Sequence, residues 1–195
     1  VLNFSTQKTM RLAQQLYEGV ELKGSGTVGL ITYLRTDSTR ISEEADAAAR
    51  VYIEEQYGAE YVAERVAAAN DGKKIQDAHE AIRPTDLSRT PAEMKESLGR
   101  DQFRLYQLIW KRFAASRMTP ARYETTAVRI GAAGYRFNAS ASRLVFEGFR
   151  SVYTESEDAK EENNVITGKI EPGMELKLSE LDSRQHFTQP PAHYT

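Results

Sequence analysis

The sequence predicts an α+β chain, mainly helical over residues 1–120 and mainly strand over 121–195. Two kinds of periodicity predict it. Up to Arg117, apolar residues recur at helical spacing behind good capping residues. From Thr125 onward they alternate: Thr126, Val128 and Ile130, then Tyr135 and Phe137, Leu144 and Phe146, and finally Met174, Leu176 and Leu178. The change falls at Met118-Thr119-Pro120, where composition also shifts.

Ser5 or Thr6 can cap a first helix, with Met10, Ala13, Leu16, Tyr17 and Val20 on one face. Lys23-Gly24-Ser25-Gly26 reads as a flexible loop that ends it. Gly29 to Tyr33 reads as a short strand. Ser42 is placed to cap a second helix, with Glu43 and Glu44 in its first turn and Gly58 at its end. Tyr61 to Ala69 reads as a short helix, and Asn70 to Lys74 as an exposed loop leading to Gln76 and Asp77. Thr90-Pro91-Ala92-Glu93 is a capping box with proline at the first helical position. The helix from Arg100 to about Arg117 turns Phe103, Tyr106, Ile109, Trp110 and Phe113 inward. Its outer face carries Arg100, Arg104 and Lys111, either a solvated surface or a nucleic-acid track. Turns are expected at Gly131 to Gly134 and at Glu171-Pro172-Gly173, an acidic loop over 155–164, and an exit linker at Pro190-Pro191.

Composition bounds the function. A net charge of −2 over 195 residues argues against a wholly basic nucleic-acid coat, so any such contact must use local patches. Cysteine is absent, which excludes disulfides and thiolate zinc sites. No run of about 18 apolar residues exists to form a membrane helix, and no signal peptide is read before Asn3. Val1 is not a natural start residue, so an excised piece of a longer chain is expected.

The chemistry is concentrated in Gly29-Leu30-Ile31-Thr32-Tyr33-Leu34-Arg35-Thr36-Asp37-Ser38-Thr39. If Tyr33 to Arg35 is extended, both side chains lie on the same side of the chain. A free phenol ionises near pH 10, and a neighbouring cation favours the phenolate. The same guanidinium can grip a phosphate with two prongs. Tyrosine, arginine and hydroxyl-bearing turn residues are thus parts for attack on a phosphodiester, and equally parts of a core tyrosine and a surface arginine beside a helix cap. A second stretch, Ala78-His79-Glu80-Ala81-Ile82-Arg83-Pro84-Thr85-Asp86, leaves further alternatives open. His79 can be structural, or donate to a phosphate or steady a carboxylate. Arg83 can hold a phosphate or pair with Glu80. Pro84 stops any helix through the motif.

The first string closely resembles the active-site segment of type IA DNA topoisomerases, and the second resembles that family's downstream active-site segment. Weaker resemblance runs through Thr6 to Glu18, Arg117 to Tyr123 and Gln185 to Tyr194. It covers essentially the whole chain but only part of the family's protein, as for an internal fragment. The resemblance implies two domains. Residues 1–120 would form a helical domain with a helix-turn-helix-like core that carries the active-site tyrosine. Residues 121–195 would be the β-rich second segment of an arch domain whose first segment lies upstream of Val1. One departure is His193, where the family usually has arginine in Pro-Pro-Ala-Arg; no DNA contact is assigned to it.

The implied function is ATP-independent relaxation of negatively supercoiled DNA. A single strand is cut through a 5′-phosphotyrosine ester, a second strand passes, and the break is resealed. Tyr33 would be the nucleophile, Arg35 would hold the scissile phosphate, and His79 would orient the phosphate or the partner domain. Arg40, Arg83, Thr36 and Ser38 are the candidate DNA contacts. No metal ligands are assigned here: the family's Mg²⁺ site lies in an N-terminal metal-binding domain, and its Asp-x-Asp-x-Glu pattern does not occur in this sequence. The expected partners are single-stranded or negatively supercoiled DNA and that domain, with no membrane, in the cytoplasm at the nucleoid. Leu34 stands where the decatenating branch has proline, so the relaxing branch fits better. The non-enzymatic alternative is a helical DNA-binding module with a structural Tyr33.

Overall fold

A computed structural model describes residues 2–22, 24–64, 79–154, 166 and 170–190. It forms an α+β architecture with two separate antiparallel two-stranded sheets. The chain divides into two units, residues 1–165 and 166–195.

In the first unit, helix α1 spans Thr6–Glu18. Ser5 is its N-cap: the Ser5 hydroxyl accepts from the Lys8 N–H at 3.3 Å. Leu12, Ala13 and Leu16 are its buried residues, whereas Met10 and Tyr17 remain exposed. Of the predicted face, Ala13, Leu16 and Val20 are buried as read, Leu12 joins them, and Met10 and Tyr17 do not. Gly19, at φ 126°, ends the helix and lets Val20 start a strand at once. That strand, β1 (Val20–Leu22), pairs with β2 (Gly26–Val28). The expected flexible loop is thus the tip of a small hairpin, and the Ser25 N–H donates to the Leu22 carbonyl at 3.1 Å.

Helix α2 (Glu43–Tyr57) begins where the hydroxyl of Ser42 accepts from the Ala45 N–H, and buries Ala49 and Ile53. It stops at Gly58 and a 3₁₀ turn, Ala59–Tyr61. Val62 then forms an isolated bridge to Met118 rather than continuing a helix. The rest of the helix expected to Ala69, the loop at 70–74, Gln76 and Asp77 lie outside the described residues. The carboxylate of Asp46 joins this corner together: it meets Arg50 at 2.7 Å and Arg117 at 3.1 Å. Burial raises the Asp46 carboxyl, but the two guanidinium groups outweigh it and hold the pKa below the usual value.

Helix α3 (Pro91–Met94) carries the expected capping box: the Thr90 hydroxyl accepts from Glu93 N–H, and the Glu93 carboxylate accepts from Thr90 N–H. Helix α4 (Arg100–Ser116) buries Leu105, Tyr106, Trp110, Phe113 and Ala114. Phe103 and Ile109, expected inward, pack only at the margin. Two polar tips reach into the loop before α3. The Trp110 indole N–H donates to the Leu87 carbonyl at 3.0 Å, and the Tyr106 hydroxyl to Arg89 at 2.6 Å. Of the basic outer face, Arg104 lies over the Phe4 ring and reaches the Leu2 carbonyl.

The β expectation holds strongly over β3 (Arg122–Ala132) and β4 (Tyr135–Phe146). They form one long hairpin with Val128 opposite Ala139 and Ile130 opposite Phe137. Ala133 and Gly134, both at positive φ, make its two-residue turn.

In the second unit, the turn near Gly173 is present, with the Met174 N–H donating to Glu171. Met174, Leu176 and Leu178 alternate as read but form no strand among the described residues; all three are exposed. Extended chain becomes a strand only when a neighbouring edge accepts its hydrogen bonds, and residues 170–190 do not provide one for themselves. The acidic loop over 155–164, Pro191, His193 and Tyr194 lie outside the described residues.

Candidate active site

The Tyr33 segment is a short stretch of extended chain fastened on both sides. On one side it meets the end of α1: the Leu30 N–H donates to the Leu16 carbonyl at 2.8 Å. Gly29 makes this approach possible, since a Cβ there would sit 2.7 Å from the Tyr17 carbonyl oxygen. On the other side it meets residues 81–85. The Thr32 N–H donates to Arg83 at 2.9 Å, and the Thr85 N–H to Leu30 at 3.0 Å. Ile31 and Pro84 form the bridge between them, and Pro84 has no N–H to satisfy there. The short strand read over Gly29 to Tyr33 is therefore reduced, among the described residues, to an isolated bridge at Ile31.

Thr32 does more than its strand propensity suggested. Its hydroxyl donates to the Ala81 carbonyl at 2.8 Å and accepts from the Arg83 N–H at 2.9 Å. The Thr85 hydroxyl donates to Gly29, and Ala81 N–H to Arg40, each at 2.8 Å. The two sequence motifs are thus stitched together, and His79 is delivered to Tyr33. Their rings stack with centroids 5.0 Å apart at 27°. A third ring, Tyr17, meets Tyr33 in an edge-to-face contact at 5.6 Å and 72°.

The period-two reading needs Tyr33 to Arg35 to stay extended, but the chain bends at Leu34 and Arg35. Leu34 is buried, while Tyr33 (36% exposed) and Arg35 both face outward. Among the described residues the Tyr33 hydroxyl makes no hydrogen bond, and Arg35 makes no hydrogen bond, ion pair or ring contact. Tyr33 and His79 are brought together, then, while Arg35 is exposed two residues on, its guanidinium uncommitted among the described residues. The hydroxyls of Thr36 and Ser38 accept from the N–H groups of Ser38 and Arg40 and so shape the turn. Arg40 points a guanidinium nitrogen at the His79 carbonyl, 3.5 Å away.

Of the two alternatives for Arg83, the structure shows the pair with Glu80, at 2.7 Å. Its remaining prong donates to the Pro84 carbonyl. Burial pushes the Glu80 carboxyl up, yet Arg83, the Ser42 hydroxyl and the charge of Arg40 prevail and hold it below the ordinary carboxylate value. Among the described residues no three histidine, aspartate or glutamate side chains converge to hold a metal ion.

A family model described as DNA topoisomerase matches residues 1–195. The chain belongs to the DNA topoisomerase family. Within it, the chain is a piece of a bacterial type IA topoisomerase. The structure of full-length topoisomerase I from Thermotoga maritima, in a monoclinic crystal form, is similar with a TM-score of 0.68 and 43% identity. The match covers 87% of this chain and 26% of that one, so this chain spans about a quarter of that topoisomerase. Of the residues singled out in the sequence, the structure brings Tyr33 and His79 into contact; Thr32, Gly29 and Tyr17, which were not singled out for the site, also meet or fasten this segment. The signal for Tyr17 was an aromatic ring at the last turn of α1, next to a glycine-rich hairpin that turns the chain back.

Proposed function

We propose that Tyr33 is the nucleophile of a transient single-strand DNA break. Its phenol oxygen attacks a backbone phosphorus and forms a 5′-phosphotyrosine ester. The bond to the 3′ oxygen breaks, and that oxygen leaves as a hydroxyl after taking up a proton, while the phenol's own proton passes to a base. After a second strand has passed, the 3′ hydroxyl reverses the ester. One ester replaces another, so the cycle needs no ATP, and the complete topoisomerase relaxes negatively supercoiled DNA.

The observation that carries this reading is a half-exposed tyrosine braced by rings, with its hydroxyl free of hydrogen bonds among the described residues. A structural tyrosine normally buries its ring and ties up its hydroxyl, as Tyr106 does. Arg35 grips the scissile phosphate and offsets its developing charge. His79 holds the phenol ring in place. Thr36, Ser38 and Arg40 line the path of the strand, whereas Arg83 acts through Glu80 to hold the His79 segment.

Mg²⁺, when bound, compensates charge on the phosphate; no set of described residues here fits it, and we assign its ligands to the N-terminal domain. With that domain, the general acid and the base also lie outside this chain. The isolated chain therefore forms no covalent adduct with DNA. In the complete enzyme, Tyr33→Phe is expected to abolish both the 5′-linked adduct and plasmid relaxation while single-strand binding persists, because binding energy comes mainly from phosphate contacts. Relaxation by Tyr33→Phe would falsify the assignment and favour a DNA-binding module with a structural tyrosine.

A further inference from the structure

We infer that Tyr17 is a positioning residue for the Tyr33 nucleophile, acting through its ring and not its hydroxyl. The inference rests on the role proposed for Tyr33 above. Two rings from different parts of the chain meet Tyr33: His79 face to face at 5.0 Å, and Tyr17 edge to face at 5.6 Å. A tyrosine this exposed has room to rotate about its Cα–Cβ bond, and each rotamer change moves its hydroxyl by several ångströms. Attack on phosphorus requires that oxygen in line with the leaving group, so restraint of the ring contributes directly to rate. Stacking by His79 restrains the tilt of the ring plane. The edge contact from Tyr17 blocks rotation in a second direction.

Tyr17 is held for this task by backbone. The Leu16 carbonyl receives the Leu30 N–H, and the Tyr17 carbonyl lies where only a glycine at position 29 can pass. The last turn of α1 and the Tyr33 segment are thus set in fixed register. Tyr17 does not fill the core, being 39% exposed, and its hydroxyl makes no hydrogen bond among the described residues. What it contributes is an aromatic edge.

The test is single-turnover cleavage of a labelled single strand by the complete topoisomerase, with binding measured separately on the Tyr33→Phe background. Tyr17→Leu is expected to slow cleavage about tenfold, the equivalent of one aromatic pair, with unchanged affinity. Leucine is a better helix former than tyrosine, so α1 is not weakened; Tyr17→Gln serves as a second ringless variant if Tyr17→Leu folds poorly. Tyr17→Phe should cleave at the parental rate. Parental cleavage by both ringless variants overturns the inference, as does a Tyr17→Phe enzyme as slow as Tyr17→Leu, or a loss of affinity that accounts for the slower rate. These outcomes leave Tyr33 as nucleophile if Tyr33→Phe is silent; an active Tyr33→Phe enzyme overturns both assignments.

Discussion

The Tyr33 loop and the β3–β4 hairpin are held by opposite means. The hairpin's ladder is internal, from Ala132 opposite Tyr135 at the tip to Arg122 opposite Phe146 at the base, with outside contacts at the base from Arg150 to Tyr123 and from Tyr61 to Phe146. The Tyr33 loop owes its shape to residues far away in sequence. Thr32 bonds to Ala81 and Arg83, and Thr85 to Gly29, over separations of 49, 51 and 56 residues. The hairpin can form from local register, whereas the loop exists only after α1, the Tyr33 segment and residues 79–86 have met. Damage to the first should stay local; damage to the second should reach the chemistry.

The largest effect is expected at the α1 junction. Gly29→Val pushes a side chain into the Tyr17 carbonyl, a backbone atom that cannot swing aside. A loss of about 3 kcal/mol is expected in denaturant unfolding, together with loss of cleavage in the complete enzyme. A Gly29→Val protein with parental stability and cleavage would show that the junction yields easily.

Thr32→Val keeps the shape of the side chain but leaves the Ala81 carbonyl and the Arg83 N–H each short of a partner. The expected cost is about 2 kcal/mol, with His79 loosened from Tyr33. Amide exchange over residues 79–86 should rise in this variant; unchanged protection there would remove Thr32 from its bracing role.

Gly134→Val is the matching probe of the hairpin. Gly134 sits at φ 82°, where a β-branched residue is strained by roughly 1–2 kcal/mol. Exchange should rise across residues 122–146 while cleavage chemistry stays at the parental rate. Slower chemistry would mean that the two regions are coupled more tightly than their hydrogen bonds imply.

The smallest effect is on pH dependence. Glu80 has a folded pKa below its ordinary 4.5. Its pairing therefore stabilises the fold above the unfolded value, and that contribution is lost as pH falls through the folded value. The expected size is under about 1 kcal/mol. Acid titration of stability should be flatter in Glu80→Gln below about pH 4.5; identical acid limbs would show that the pair contributes nothing measurable.

Much of the fold was legible because its signals are local. Ser42 and Thr90 announce helix starts through hydroxyls that satisfy N–H groups within the same turn. The alternation from Thr126 to Phe146 had a built-in partner across the Ala133-Gly134 turn. The same alternation at Met174, Leu176 and Leu178 had none, and no strand formed among the described residues. The β1–β2 hairpin was missed because three-residue strands carry too little pattern to stand out from a glycine-rich loop.

By itself, then, the sequence determined the α+β class, the caps and the strands on either side of the 131–134 turn. Those depend on neighbours within a few residues. The tertiary structure alone decided that Arg83 braces Glu80, that Thr32 fastens the two motifs, and that Tyr17 and His79 both meet Tyr33. Apart from the Arg83–Glu80 pair, which is three residues apart and was one of two alternatives open in the sequence, these join groups about fifteen to fifty residues apart. No local rule predicts such a meeting, because it depends on how the packed core brings α1 and residues 79–86 to the Tyr33 segment.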